Sequence, residues 1–150
     1  MVIWFPVLFA KNWQPFEMLR VNIVTDTRYP VDRKTIRKAI TDTLNTNKML
    51  SGELEVSVAV VGKRKMGDLA EEYMKDGKSH EVFAFPLEEV TQETKTGFIN
   101  SPDGILRLGD IVLCWPEVLI CASRDDVLVD DEVYALTVHA TEHLLGKHHE

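Results

Sequence analysis

A chain of 150 residues, 45% hydrophobic and 27% charged with 8 Gly and 6 Pro, has room for one ordinary globular domain and excludes collagen-like, coiled-coil and wholly disordered chains. Its formal charge of −7 excludes an indiscriminate nucleic-acid binder, because nonspecific affinity for a polyanion comes mostly from Lys and Arg neutralising phosphates. A nucleic-acid partner would have to be held by a local basic patch or by a metal.

The first ten residues, MVIWFPVLFA, are apolar but too short to span a bilayer, which takes about 20 apolar residues. They also lack the basic start of a secretory signal. Residues 1–17 are expected to be an N-terminal apolar extension, with an added edge strand as the other reading, and residues 18–150 a single domain. From Arg20 to Thr25 the alternation predicts a first strand. Over Val31 to Lys48, Ile36, Ala39, Ile40 and Leu44 recur at helical spacing, with Asp32 placed to cap the first turn. In Glu53 to Val61, Leu54, Val56, Val58 and Val60 share one face at period two, a second strand.

Met66, Leu69, Ala70 and Tyr73 share a face of a short helix predicted over Lys63 to Lys75. Glu81 to Phe85 and Ile111 to Cys114 are compact β-rich runs, ended by Pro86 and by Trp115-Pro116. Cys114 and Cys121 lie in an apolar stretch without a CxxC spacing and are expected to be reduced core residues of a cytoplasmic protein. The last predicted helix runs from about Asp130 to Leu145. Asp130, Asp131 and Glu132 are expected to complement the dipole of its first turn and to cap its free amides, and Gly146 stands where a left-handed residue ends a helix. Alternating strands and helices without a long linker give an α/β (α+β) fold, one small mixed sheet packed with helices.

Chemistry gathers on that last helix. His139 and His143 are four residues apart, so their rings lie about 40° apart on one face and one turn apart along the axis. After the Gly146 turn His149 arrives, with His148 beside it. Three neutral imidazoles and an open position are the composition of a catalytic zinc site. The same donors also suit Ni²⁺, Cu²⁺ or Co²⁺.

The segment HATEHLLGKHH resembles the HGxLHLxGyDH signature of the YbeY family of zinc-dependent endoribonucleases of ribosomal RNA maturation. LGDIVLC at Leu108 to Cys114, HEVFAFP at His80 to Pro86 and LAEEYM at Leu69 to Met74 are similar to the family's LGDIvic, TDVLSFP and LNxxYR segments. The resemblance thus covers the chain from about Met18 onward. It implies one Zn²⁺ per chain on His139, His143 and His149, with the metal site on the C-terminal helix. It also implies single-stranded RNA, ribosomal RNA and the small ribosomal subunit as partners, and neither DNA nor a membrane.

The resemblance further implies a functional arginine where this chain has Met74, which carries no charge. Lys75 or Arg64 is then the nearest cation to stand in for it, although Lys lacks the planar fork of Arg. The cations Arg33, Lys34, Arg37 and Lys38 on the first helix are either a positive lining for RNA or that helix's solvated face. Two other readings stay open. One is a zinc-stabilised, catalytically impaired ribosome-binding protein. The other is a metallohydrolase with Glu142 as base, because HATEH also matches the H-x-x-E-H pattern of inverzincin peptidases. Those enzymes need a distant downstream Glu ligand, and seven residues follow His143 here.

Overall fold

In the computed structural model, residues 18–26, 28–49, 52–75, 77, 80–88, 90 and 103–146 are described. They form β1 (Met18–Thr25), α1 (Arg33–Thr46), β2 (Glu53–Val61), α2 (Lys63–Tyr73), β3 (Val82–Pro86), β4 (Ile105–Cys114), α3 (Trp115–Asp125) and α4 (Val129–Leu144). The apolar extension read over residues 1–17 lies outside the described residues. No helix among the described residues is long and apolar enough to cross a membrane.

The four strands make one mixed sheet in the order β1-β2-β4-β3, with β1, β2 and β4 parallel and β3 antiparallel to β4 at the edge. Alternation decides which face of each strand is covered. Leu54, Val56, Val58 and Val60 of β2 meet Ile36, Ile40 and Leu44 of α1 and Val133, Ala140 and Leu144 of α4 in the main core. The opposite face receives α2, whose Met66 packs with Val112 and Cys114. Each helix therefore buries the stripe that its period of 3.6 dictates. Asp32 caps α1 as the sequence predicts, accepting from the Lys34 N–H at 2.9 Å.

Two expectations are corrected. Strand β4 starts at Ile105, six residues before the predicted Ile111. The reason is a bulge: the β2 ladder pairs Glu55 with Arg107 but Val56 with Gly109, leaving Leu108 as the extra residue. The side-chain parity inverts there, so Leu106 and Leu108 before the bulge and Ile111 and Leu113 after it all enter the same core. Period-two alternation is broken in the sequence because it is broken in the strand. Helix α4 takes Leu128 as its N-cap with no side-chain cap bond, so Asp130, Asp131 and Glu132 act on its dipole from the first turn without capping it. Its other end is as expected, with Gly146 at φ 88° just beyond.

Gly109 holds φ +147°, a region that L side chains rarely adopt, and a Cβ there would collide with the Phe85 carbonyl oxygen, Leu144 Cδ2 at 2.8 Å and Pro86 Cα at 3.0 Å. Backbone strain and overpacking each contribute about 1–3 kcal/mol at such a site. Gly109→Ala is expected to destabilise the fold by about 3 kcal/mol in urea denaturation. Gly104→Ala, at φ +72° with nothing within 4 Å, is the control and is expected to lose about 1 kcal/mol.

A polar link ties α4 to α1. The Tyr134 hydroxyl donates to Asp42 Oδ2 at 2.6 Å, and Lys38 Nζ stands 2.8 Å from the same oxygen. Lys38 first and Tyr134 second hold the Asp42 carboxyl below the ordinary carboxylate range. A lowered carboxyl pKa adds stability that is complete above the unfolded value of about 3.9 and is lost as pH falls through the lower folded value. Tyr134→Phe is therefore expected to unfold at lower urea than the parent near neutral pH. As pH falls through the lower folded value of Asp42, the difference should shrink.

Candidate functional site

The buried stripe of α4 is Val133, Thr137, Ala140, Thr141 and Leu144. His139 and His143 flank it on the side that faces β3, His139 exposed and His143 half-buried. Their position follows from the stripe: once Ala140 and Leu144 are in the core, residues 139 and 143 must stand at its border. The two rings meet nearly edge to face, 76° between planes and 4.7 Å between centroids. Their Nε2 atoms approach to 3.2 Å.

That separation can be tested against a metal. Two nitrogens each about 2.05 Å from one tetrahedral zinc stand about 3.3 Å from each other. The pair thus fits two adjacent positions of a single ion. Among the described residues no third His, Cys, Asp or Glu completes a metal-holding group. The predicted third ligand His149, and His148 beside it, lie outside the described residues.

The pair opens onto a cavity of about 300 Å³, walled by Leu136, His139, Ala140 and His143 of α4 and by Glu81, Val82, Phe83 and Ala84 at the start of β3. Glu81 is the carboxylate in this lining, and sequence reasoning missed it. The available signal was its place one residue ahead of β3, at the end of the sheet where the parallel strands finish. Its charge is felt nearby. Burial first, then Glu81, pushes the Cys121 thiol up, so that thiol stays protonated in the core. Burial first and Asp125 second push the Glu132 carboxyl up, with Glu81 a smaller contributor. Cys121 and Cys114 are both buried and form no disulfide, as expected of reduced core residues.

The remaining predicted site residues lie elsewhere. Glu142 is half-buried on α4 and is not in the cavity lining. Met74 caps the C-terminal end of α2 and is 56% exposed, and Lys75 follows it in the left-handed region at φ 60°. This end of α2 is held to β3 by Tyr73, whose ring lies 4.9 Å from that of Phe85. Arg64 sits in the first turn at the other end of α2, whereas Lys75 lies beyond its last turn, so the two stand at opposite ends of the helix. Arg33 and Arg37 of α1 donate to the Ile23 and Val21 carbonyls of β1, and Lys38 pairs with Asp42. Three of the four α1 cations are thereby engaged inside the fold.

A family model described as endoribonuclease YbeY matches residues 22–150. Proteins named endoribonuclease YbeY are similar to the chain. That of Roseiflexus castenholzii is 26% identical over 133 residues, 89% of this chain and 80% of that one. That of Saccharopolyspora erythraea is 35% identical over 138 residues, 92% and 67% respectively. That of Streptomyces coelicolor is 37% identical over 99 residues, 64% of this chain and 58% of its own length. A Thermotoga maritima protein solved in solution shares the fold, with a TM-score of 0.52 at 18% identity, over 89% of this chain and 75% of that one.

Proposed function

This chain belongs to the YbeY family of endoribonucleases, and on that premise we propose that it is a metal-dependent, single-strand-specific endoribonuclease. Its role is in ribosomal RNA maturation and ribosome quality control, in the cytoplasm, with the small ribosomal subunit as partner. The observation that carries the reading is the His139–His143 pair, with its Nε2 atoms 3.2 Å apart on the wall of a cavity. One Zn²⁺ per chain would be held by these two rings and His149. Bound there, it would polarise a nonbridging phosphate oxygen and lower the pKa of water.

The chain's own groups supply the rest. Helix α4 holds the two imidazoles one turn apart, so the donors are oriented before any ligand arrives and little ordering is needed on binding. Glu81 is the carboxylate lining the same space and serves as the acceptor for the proton that an attacking hydroxyl sheds. A cavity of about 300 Å³ between one strand and one helix admits part of a single strand whose bases can splay apart, and not a paired helix. The Met74 side chain donates no hydrogen bond, so the charge of the transition state must be offset by cations other than the arginine that the family resemblance implies at that position.

Elemental analysis of untagged protein tests the proposal. One zinc per chain is expected, lost in His143→Ala together with at least about a hundredfold of RNA cleavage. Cleavage should stop with chelator and return with zinc. Cleavage that survives chelation would belong to a contaminating nuclease, and full zinc occupancy without any cleavage would replace the enzyme by a zinc-stabilised ribosome-binding protein. Met74→Arg is expected to raise the cleavage rate by about tenfold or more by adding a forked donor. An unchanged rate would show that position 74 does not face the scissile phosphate.

A further inference from the structure

A larger cavity, of about 580 Å³, opens at the carboxyl ends of β1 and β2, where the chain passes through Gly62 into α2. Ligands of open α/β sheets bind in crevices at this end of the strands. The walls carry Arg28, Lys63, Arg64 and Lys65 against the two carboxylates Asp26 and Asp68. Their pairing is uneven. Arg28 is engaged by Asp26, with Nη2 2.8 Å from Oδ2, and its N–H also donates to Oδ1 at 3.0 Å. Lys63 turns to Glu117, 3.5 Å away. Arg64 and Lys65 are exposed and make no ion pair or side-chain hydrogen bond among the described residues.

Tyr29 adds a neutral donor. Its ring is held between Trp115, 6.4 Å between centroids, and the Arg28 guanidinium, 5.7 Å from the ring centre. Its hydroxyl lies over Gly62, where a Cβ would come within 2.6 Å of Oη, and has no hydrogen-bond partner among the described residues. A fixed O–H and two uncommitted cations thus face one concave space in a protein of net charge −7. A phosphate, with several acceptor oxygens and full charge, is the complement of a guanidinium fork, an ammonium and a hydroxyl together.

We propose that this cavity binds a phosphate group of the RNA strand, with Arg64, Lys65 and Tyr29 as its donors. The inference rests on the endoribonuclease reading above and extends it to how substrate is gripped away from the histidines. Sheet register connects the two places. Val60 of β2 and Val82 of β3 both pair with Leu113 of β4, so they occupy one rung. The end of β2 and the start of β3 are therefore two strand spacings apart, about 10 Å.

The test is a fluorescence-anisotropy titration of the zinc-loaded full chain with a labelled single-stranded oligoribonucleotide, carrying either a 5′-phosphate or a 5′-hydroxyl and checked for integrity on a gel. The double variant R64E/K65E is compared with K34E/K48E, which changes net charge equally on exposed residues outside the cavity lining. R64E/K65E is expected to weaken binding about tenfold or more and to reduce the salt slope by about 1.4, two contacts at ~0.7 each, while K34E/K48E keeps the parental slope. Tyr29→Phe should weaken binding about threefold. Loss on both oligonucleotides assigns an internal phosphodiester, and loss confined to the 5′-phosphorylated one assigns the terminal phosphate. The proposal is overturned if R64E/K65E binds both strands as tightly as K34E/K48E, or if the parent binds neither. If the parent binds and R64E/K65E does not, yet no RNA is cleaved, the phosphate site stands and the nuclease reading falls.

Discussion

The meeting of β3, β4 and α4 at Gly109 is the constraint on which the arrangement of this molecule depends. Only a residue without a Cβ lets the Phe85 carbonyl, Pro86 and the Leu144 side chain converge on one backbone position. The same residue closes the bulge that brings Leu106, Leu108, Ile111 and Leu113 into one core although their parity changes along the strand. Leu144 follows His143 directly. Anchoring that turn of α4 against the β3–β4 ladder therefore also sets where the histidine rings stand relative to β3. Apolar packing places the site, and its polar groups inherit their positions.

Charge is distributed with the same economy. Among the described residues β1 is an edge strand, and Arg33 and Arg37 donate to its Ile23 and Val21 carbonyls, so guanidinium groups occupy part of that edge. Arg107 is taken up by Glu55 and Asp103, and Arg124 by Asp125. In a chain with more acids than bases, such pairing leaves little positive surface. Arg64 and Lys65 are exceptions, and they stand at the same end of the sheet as the histidine pair. The cavity they line carries four cations against the carboxylates Asp26 and Asp68, so its local charge is opposite in sign to that of the whole chain.

Within its family the chain combines a helix carrying two histidines one turn apart with Met74 at a position where the resemblance implies arginine. The structure separates these two features. The histidines lie on α4, beside the start of β3, whereas Met74 closes α2, which packs on the opposite face of the sheet through Met66. Tyr73 and Phe85 hold that end of α2 to β3. Position 74 thus lies on a different side of β3 from the imidazoles, so the two positions can vary independently.

The sequence by itself determined the elements whose burial follows a single period: β2 from four alternating aliphatics, α1 from its apolar stripe and Asp32 cap, and α4 with its pair of histidines one turn apart. Local geometry suffices there, since i and i+4 share a helix face whatever lies around them. Tertiary structure alone decided the rest. The first half of strand β4, before Ile111, was hidden because its bulge inverts the alternation that announces a strand. Glu81 enters the site only because antiparallel pairing lays β3 beside α4, and Arg33 and Arg37 are withdrawn from it because β1 needs partners for its edge. The grouping of Tyr29, Arg64 and Lys65 joins residues some 35 positions apart through parallel pairing of β1 with β2. Such contacts depend on register between distant strands, which no local pattern encodes.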